Sequence, residues 1–190
     1  MKKIIQIGNP ILNTKTKDVS DITSKATQQL IDDLVKICIA EIDTTAGLSA
    51  PQIGKLFSVC VCRRMDLEKV AGEGNVSNED LWEVMINPKI ISKSNKTSTI
   101  WEACLSVGIG ENQLWGPVER PDNIKVSYID INGVNKILLA KEFFAHVIQH
   151  EIDHLSGILF LNYVKNPENI WKSKNLDEIM KKTGDFPVIL

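Results

Sequence analysis

No stretch of this 190-residue chain approaches the roughly 18 to 20 consecutive apolar residues that a membrane span needs. The first residues, MKKIIQIGNPIL, hold two lysines but no apolar run long enough for a signal-peptide core, and Asn9-Pro10 interrupts them. A cytoplasmic protein is the expectation, and in that compartment thiols stay reduced. Cys38, Cys60, Cys62 and Cys104 are therefore read as buried, ligating or reactive thiols, not as a disulfide frame. An excess of one charge is also missing. Acidic residues number 24 and basic ones 22, so the formal charge of −2 gives no electrostatic reason to expect nucleic acid or an anionic membrane as partner. Repeats and low-complexity tracts are absent. The length, with 43% hydrophobic and 24% charged residues, fits one domain with a real core, with a polar tail from about residue 166.

What is present reads as a mixture of helices and strands. Leu30, Leu34, Ile37 and Cys38 share one side of a helix predicted over 24–42. TTAGLSAPQIG after it reads as a loop, and the polar stretch 65–80 as a surface excursion. FSVCVCRR alternates as a strand does, placing Cys60 and Cys62 on one face, where packing is their expected role, as it is for Cys38 on its helix stripe. Strands are also expected at WEVMINPKIIS, TSTIWEACLSVG and ILFLNYV. Two β-patterned runs flank Asn132-Gly133, a pair that favours a type I′ hairpin turn. A helix is predicted from about Lys141 to Leu155 with Gly157 as its C-terminal cap, and a further one at NLDEIMKK. The fold class is α+β: antiparallel or mixed sheets surrounding a central helix. Trp101 and Trp115 are read as packing residues.

Histidine is scarce: His146, His150 and His154 are the whole supply, all within HVIQHEIDH. HEIDH fits the H-E-x-x-H pattern. Its two histidines lie about 40° apart around a helix and roughly 6 Å apart along it, so both can reach one ion. Glu151 is swung about 100° from His150, placed to address a water beside the ion without ligating it. Both histidines project from the apolar arc that holds Phe143 and Val147, while Glu142, Gln149, Asp153 and Ser156 collect on the opposite side. Burying two unpartnered imidazoles and a carboxylate is costly, and a metal resolves that cost. His146 is a poor third ligand, because about 12 Å of rise separates it from His154 on a straight helix; a place on the cleft wall suits it better. The third ligand is then Cys, Asp or Glu. Glu178 has roughly the distance of a gluzincin-like ligand, although the partner pattern N-E-x-x-x-E is absent. Cys104 differs from the other cysteines in sitting at a strand end among small residues.

TAGLSAPQ (45–52), EACLS (102–106) and QHEIDH (149–154) together resemble the three signature motifs of the peptide deformylase family, in the family's order and near its usual spacing. IIQIGNPIL, VERPDNIKVSYIDINGV and HLSGILFLNYV extend the resemblance to about residues 4–164. It implies a metallohydrolase that removes the N-formyl group from formylmethionyl nascent chains, releasing formate near the ribosome. Cys104, His150 and His154 match the family's ligands to one divalent ion, most often Fe²⁺, with Zn²⁺, Ni²⁺ or Co²⁺ possible in purified protein. Glu151 matches the general acid/base, and Gln52 and the Leu105 N–H the oxyanion donors. Gly47 matches a main-chain contact to substrate, and Ile100, Phe143, His146 and Val147 the pocket for the methionine side chain. Asp153 is a candidate partner of Arg120 in support of the metal helix, and Glu102 a brace for the loop around Cys104.

Some positions depart from the family pattern. Thr45 stands where a glycine is usual, Ser49 where an alanine is, Ala103 where a glycine is, and Gly108 where a proline is; no arginine precedes Arg120 in the segment 107–120. Ser49 is read as isosteric and inconsequential, while the other changes bear on rate and peptide preference. Two rival readings stay open: an H-E-x-x-H metalloprotease with a carboxylate ligand, and a catalytically weak deformylase-like protein that binds formylated N-termini.

Overall fold

Leu30, Ile31, Leu34, Ile37 and Cys38 recur at helical spacing, and in the computed structural model, which describes residues 3–67 and 81–190, they form the buried stripe of helix α1 (Lys25–Ala40). Ser24 starts it: its hydroxyl accepts the Thr27 N–H at 3.2 Å, a bond the first turn cannot make for itself. The excursion expected at 65–80 lies, from residue 68 onward, outside the described residues.

Strand β2 (Val59–Arg63) is buried on both faces because a helix covers each. Val59 and Val61 pack into the cluster of α1, whereas Cys60 and Cys62 pack with Phe144, Ala145, Val147 and Ile148 of helix α2 (Glu142–Leu155). Period-two alternation thus sends one strand's side chains into two cores. Cys38, Cys60, Cys62 and Cys104 are all free and buried. β2 belongs to a five-stranded sheet ordered β1-β2-β3-β6-β7, with β1 Gly47–Ser49, β3 Trp82–Lys93, β6 Asn123–Ile129 and β7 Asn135–Lys141. A second, three-stranded sheet is ordered β4-β5-β8, with β4 Thr97–Ala103, β5 Leu114–Pro121 and β8 Trp171–Lys172. Neighbouring strands are antiparallel in both sheets, which gives the mixed α+β class read from the sequence. Helix α3 (Ser173–Thr183) covers the predicted NLDEIMKK helix and buries Leu176. No helix among the described residues is long and apolar enough to cross a membrane.

Three local readings are corrected. TTAGLSAPQIG is not all loop: Leu48 pairs with Val61, and Ala50–Ile53 close into a 3₁₀ turn in which Gln52 Oε1 accepts the Ser49 N–H. Small residues hide a strand that is short and buried on both faces. Leu114–Pro121, for which the sequence offers no strand signal, forms β5, and its residues from Trp115 to Pro121 pair with β4; its glycine and prolines mask it. ILFLNYV forms a 3₁₀ turn (Phe160–Tyr163), not a strand, since a short apolar run does not by itself distinguish the two. The Asn132-Gly133 pair does sit at the hairpin reversal, but only Gly133 of the two has positive φ, at 78°. A two-residue type I′ turn needs both. Instead the Asp130 carboxylate accepts the N–H groups of Asn132 and Val134, each at 2.9 Å, and holds a longer loop.

The carboxyl end of α2 is closed by Gly157, with φ of 76°. Its N–H donates to the His154 carbonyl at 3.1 Å, and the Ile158 N–H donates to the Asp153 carbonyl at 2.9 Å, the paired bonds of a Schellman end. A Cβ here would also stand 2.7 Å from the Asn13 carbonyl carbon. Gly157→Ala is expected to cost about 1–3 kcal/mol, lowering the melting temperature by roughly 2–10 °C in a calorimetric or circular-dichroism melt. An unchanged melt would mean that the Asn13 segment yields freely.

Candidate active site

One turn of α2 puts His150 and His154 on the same side, and the end of β4 delivers Cys104 to them. The Cys104 Sγ lies 3.2 Å from His154 Nε2, and the three potential ligand atoms all fall within 4.8 Å of one another. Ligands about 2.0–2.3 Å from a single ion stand roughly 3.5–4 Å apart, so this set fits one ion with small adjustment. Burial holds the pKa of His154 well below the usual imidazole range, which favours the neutral form that ligates. His150, with its side chain 11% exposed, loses solvent as well, yet Cys104 and Glu102 beside it pull its pKa well above that range. Two acidic partners favour positive charge at this point, which is what a divalent cation supplies.

Behind the ligand atoms lies a chain of charge. His150 Nδ1 bonds Glu102 Oε2 at 2.9 Å, leaving Nε2 as the nitrogen available to an ion. Arg120 donates to both oxygens of Glu102, at 2.6 and 3.1 Å, and to Asp153 Oδ2 at 2.7 Å. Burial alone would raise the pKa of Glu102, but the neighbouring His146 and the hydrogen bonds from His150 and Arg120 outweigh it and hold the carboxyl far below the ordinary range. Arg120 and Asp153 thus stand behind the site and support it from outside the cavity.

Glu151 is the opposite case. It is 3% exposed, and burial pushes its pKa up to about 7. A Cβ on Gly47 would stand 2.7 Å from Glu151 Oε1, so only glycine lets β1 pass this close to the carboxyl. Gln52 points its amide NH₂ at Cys104 Sγ, at 3.4 Å, because its Oε1 is held by the Ser49 N–H and hydroxyl, each at 2.8 Å. Leu105 is fixed through its carbonyl, which accepts Gln6 Nε2 at 2.8 Å.

A cavity of about 460 Å³ brings Gly47, Gln52, Cys104, Leu105, His150 and Glu151 to one space. Ile100, Phe143, His146 and Val147 line it as well. His146 is 2% exposed; its Nε2 bonds Ser98 Oγ at 3.0 Å, and its Nδ1 lies 3.6 Å from Glu102 Oε1. Glu178 is exposed on α3 and is not among the clustered ligand atoms of the described residues, which removes the carboxylate-ligand protease geometry.

Two sequence readings need correction. Ser49 is not inconsequential, since its hydroxyl orients Gln52. Gln149 is 4% exposed, not on a solvated arc, and bonds the Pro121 and Ala145 carbonyls, both at 3.0 Å. Trp101 and Trp115 do pack, Trp101 against the Phe186 ring, and being half-buried they line the cavity as well. The Ser49–Gln52 spacing of a capping box is a signal that could have found the first. Nothing in the periodicity marks the tryptophans.

A fold of this kind around a buried thiol, two imidazoles and a nearly neutral carboxyl defines a metal-dependent hydrolase. The profile of the family described as polypeptide deformylase matches residues 1–169. Peptide deformylase 1 of Vibrio vulnificus is 38% identical over 162 residues, 85% of either chain. The peptide deformylase of Leptospira biflexa is 35% identical over 180 residues, 93% of this chain and 95% of that one. A solved peptide deformylase from Synechococcus elongatus in complex with actinonin is 31% identical with a TM-score of 0.72, covering 98% of this chain and 87% of that one. The chain belongs to the polypeptide deformylase family, metal-dependent hydrolases that deformylate nascent polypeptides.

Removing Glu102 would leave Arg120 buried with one partner fewer. Glu102→Ala is expected to cost about 3–5 kcal/mol in a denaturant or thermal melt. It should also weaken metal retention about 10- to 100-fold, read by dialysis against a chelator and elemental analysis. Full stability with full metal retention would show that the charge chain is dispensable.

Proposed function

We propose that this chain hydrolyses the formyl amide of N-formylmethionyl peptides in the cytoplasm, as nascent chains leave the ribosome, and that residues 1–190 act as one catalytic unit. Cys104, His150 and His154 would hold one divalent ion, natively Fe²⁺, with Zn²⁺, Ni²⁺ or Co²⁺ accepted on purification. The observation that carries this reading is the Cys104 thiol beside the two helix histidines: a thiolate makes the site softer than three imidazoles would. When bound, such an ion acts as a Lewis acid toward a carbonyl and lowers the pKa of water.

The protein's own groups do the rest. Glu151, with a pKa near 7, takes a proton from the attacking water and later hands one to the departing amine nitrogen. The C–N bond breaks, formate leaves, and the peptide keeps a free N-terminus. Gln52 and the Leu105 N–H face the developing oxyanion, each worth about 3–4 kcal/mol in such a role. β1 and β4 are edge strands of their sheets, and Gly47 on the one and Ile100 to Ala103 on the other line the cavity. Their free main-chain groups suit an extended peptide laid between them. Ile100, Phe143, His146 and Val147 would receive the methionine side chain.

A second reading, a slow enzyme that chiefly binds formylated N-termini, draws on Thr45. Its hydroxyl donates to the Gly47 carbonyl at 2.6 Å and so competes for a main-chain group offered to the peptide. Formate release from formyl-Met-Ala-Ser by anaerobically purified, Fe²⁺- or Ni²⁺-loaded protein separates the two; binding without release supports the second. Glu151→Gln should keep the metal and lose about 10²- to 10⁴-fold in kcat. Cys104→Ala should lose both metal and activity, and a Cys104→Ala protein that retains both would refute the ligand assignment.

A further inference from the structure

We propose that residues 184–190, beyond the segment the family profile matches, supply one wall of the peptide cleft. There Phe186 joins Trp101 and Trp115 in a subsite for an apolar side chain, aromatic above all, at the second or third residue of the formylated peptide. The proposal rests on the deformylase reading and assigns it a specificity determinant.

Phe186 lines the same cavity as Cys104 and Glu151, although more than 30 residues of chain separate it from α2. Its ring stacks on Trp101 with centroids 5.5 Å apart and planes 12° apart, yet it keeps 38% of its surface exposed. A ring placed only for packing would be covered; this one leaves apolar area facing a cleft.

The segment that carries the ring is tied at both ends. Gly184, with φ of 77°, turns the chain back at the end of α3. Asn169, 3% exposed, donates to the Leu190 carbonyl at 3.2 Å and accepts the Leu190 N–H at 3.0 Å. Trp115 is oriented from the other end of α3, since its indole N–H donates to Ser173 Oγ at 2.8 Å. The aromatic wall is therefore preorganised, and its ordering cost is met before a peptide arrives.

Spacing sets the peptide position. Trp101 lies three residues from Cys104 along an extended strand, about 10 Å at 3.3–3.4 Å per residue. A peptide stretched along the β4 edge with its formyl carbon near Cys104 would bring its second or third side chain to that distance.

The test uses metal-loaded protein and formyl-Met-Ala-Ser, formyl-Met-Phe-Ser and formyl-Met-Ala-Phe. Formate release gives kcat/KM, and tryptophan fluorescence reads binding of the corresponding deformylated peptides. The native chain should prefer one phenylalanine peptide over the Ala-Ser peptide by about three- to tenfold, the scale of one aromatic contact. The preference should lie in KM and appear in the binding constants too. Phe186→Ala should erase it, and Phe186→Leu should retain part of it. A preference that survives Phe186→Ala overturns the proposal. So does an equal gain for all three peptides, the mark of a segment that merely covers the cleft. If the native chain releases no formate from any peptide, the deformylase reading fails instead, and the fluorescence titrations still decide the subsite.

Discussion

Glu102 and Arg120 carry opposite charges into a region where neither could stay alone. Their side chains are 8% and 5% exposed, and withdrawing each ion from water costs on the order of several kcal/mol. Geometry offsets that cost only if most hydrogen-bonding positions are filled. Arg120 spans both oxygens of Glu102 and reaches Asp153, while Glu102 keeps an oxygen for His150. The Arg120 guanidinium also lies 5.0 Å over the Tyr163 ring, whose hydroxyl donates to the other Asp153 oxygen at 3.1 Å. The partners come from β4, β5, α2 and the turn after α2. One set of bonds therefore fixes the register of the small sheet and the seating of α2 at the same time. The orientation of His150 follows from it, because the engaged Nδ1 leaves Nε2 to face Cys104.

The same network accounts for two carboxyls with opposite behaviour within one site. Glu102 stays ionised among His146, His150 and Arg120, whereas burial raises the pKa of Glu151 to about 7. Environments that push two carboxyl pKa values apart divide the roles between them. Glu102 is a fixed charge that orients His150; Glu151 is a carboxyl able to exchange a proton near neutral pH. Swapping the local surroundings, not the residue type, would swap those roles.

Much of this was legible in the chain and some was not, for physical reasons. α1 and α2 announce themselves through 3.6-residue periodicity, and β2 through alternation, since each buries a regular face. Three histidines confined to two turns, with a glutamate between two of them, point to an ion without any fold. The Asp153–Arg120 pairing was accessible as a guess from charge. That Glu102 would link Arg120 to His150 was not, because the link depends on how β4 meets α2, a contact across 48 positions of sequence. β1 and β5 escaped because glycine and proline at short strands imitate loop composition, whereas hydrogen bonds to a neighbouring strand decide the outcome. Ser49 escaped because a hydroxyl and a methyl differ little in volume but entirely in whether they can hold Gln52.

The cleft is bounded by the free edges of two sheets, which constrains how it can choose a substrate. Edge strands offer alternating N–H and C=O groups that any extended chain can satisfy, so they contribute affinity without selectivity. Selectivity must then come from side chains flanking the edges and from the chemistry at Cys104, His150 and His154. On one flank stand Phe143 and Val147 of α2, the helix whose Phe144, Val147 and Ile148 share a core with Cys60 and Cys62 of β2. On the other stand Trp101 and Trp115, which touch Phe186 and Ser173, both beyond the residues that the family profile matches. The first flank cannot change without disturbing the helix that carries the histidines. The second draws on a segment that contributes no residue to the charge network or to the clustered thiol and imidazoles, so a change there would leave both sets of contacts in place.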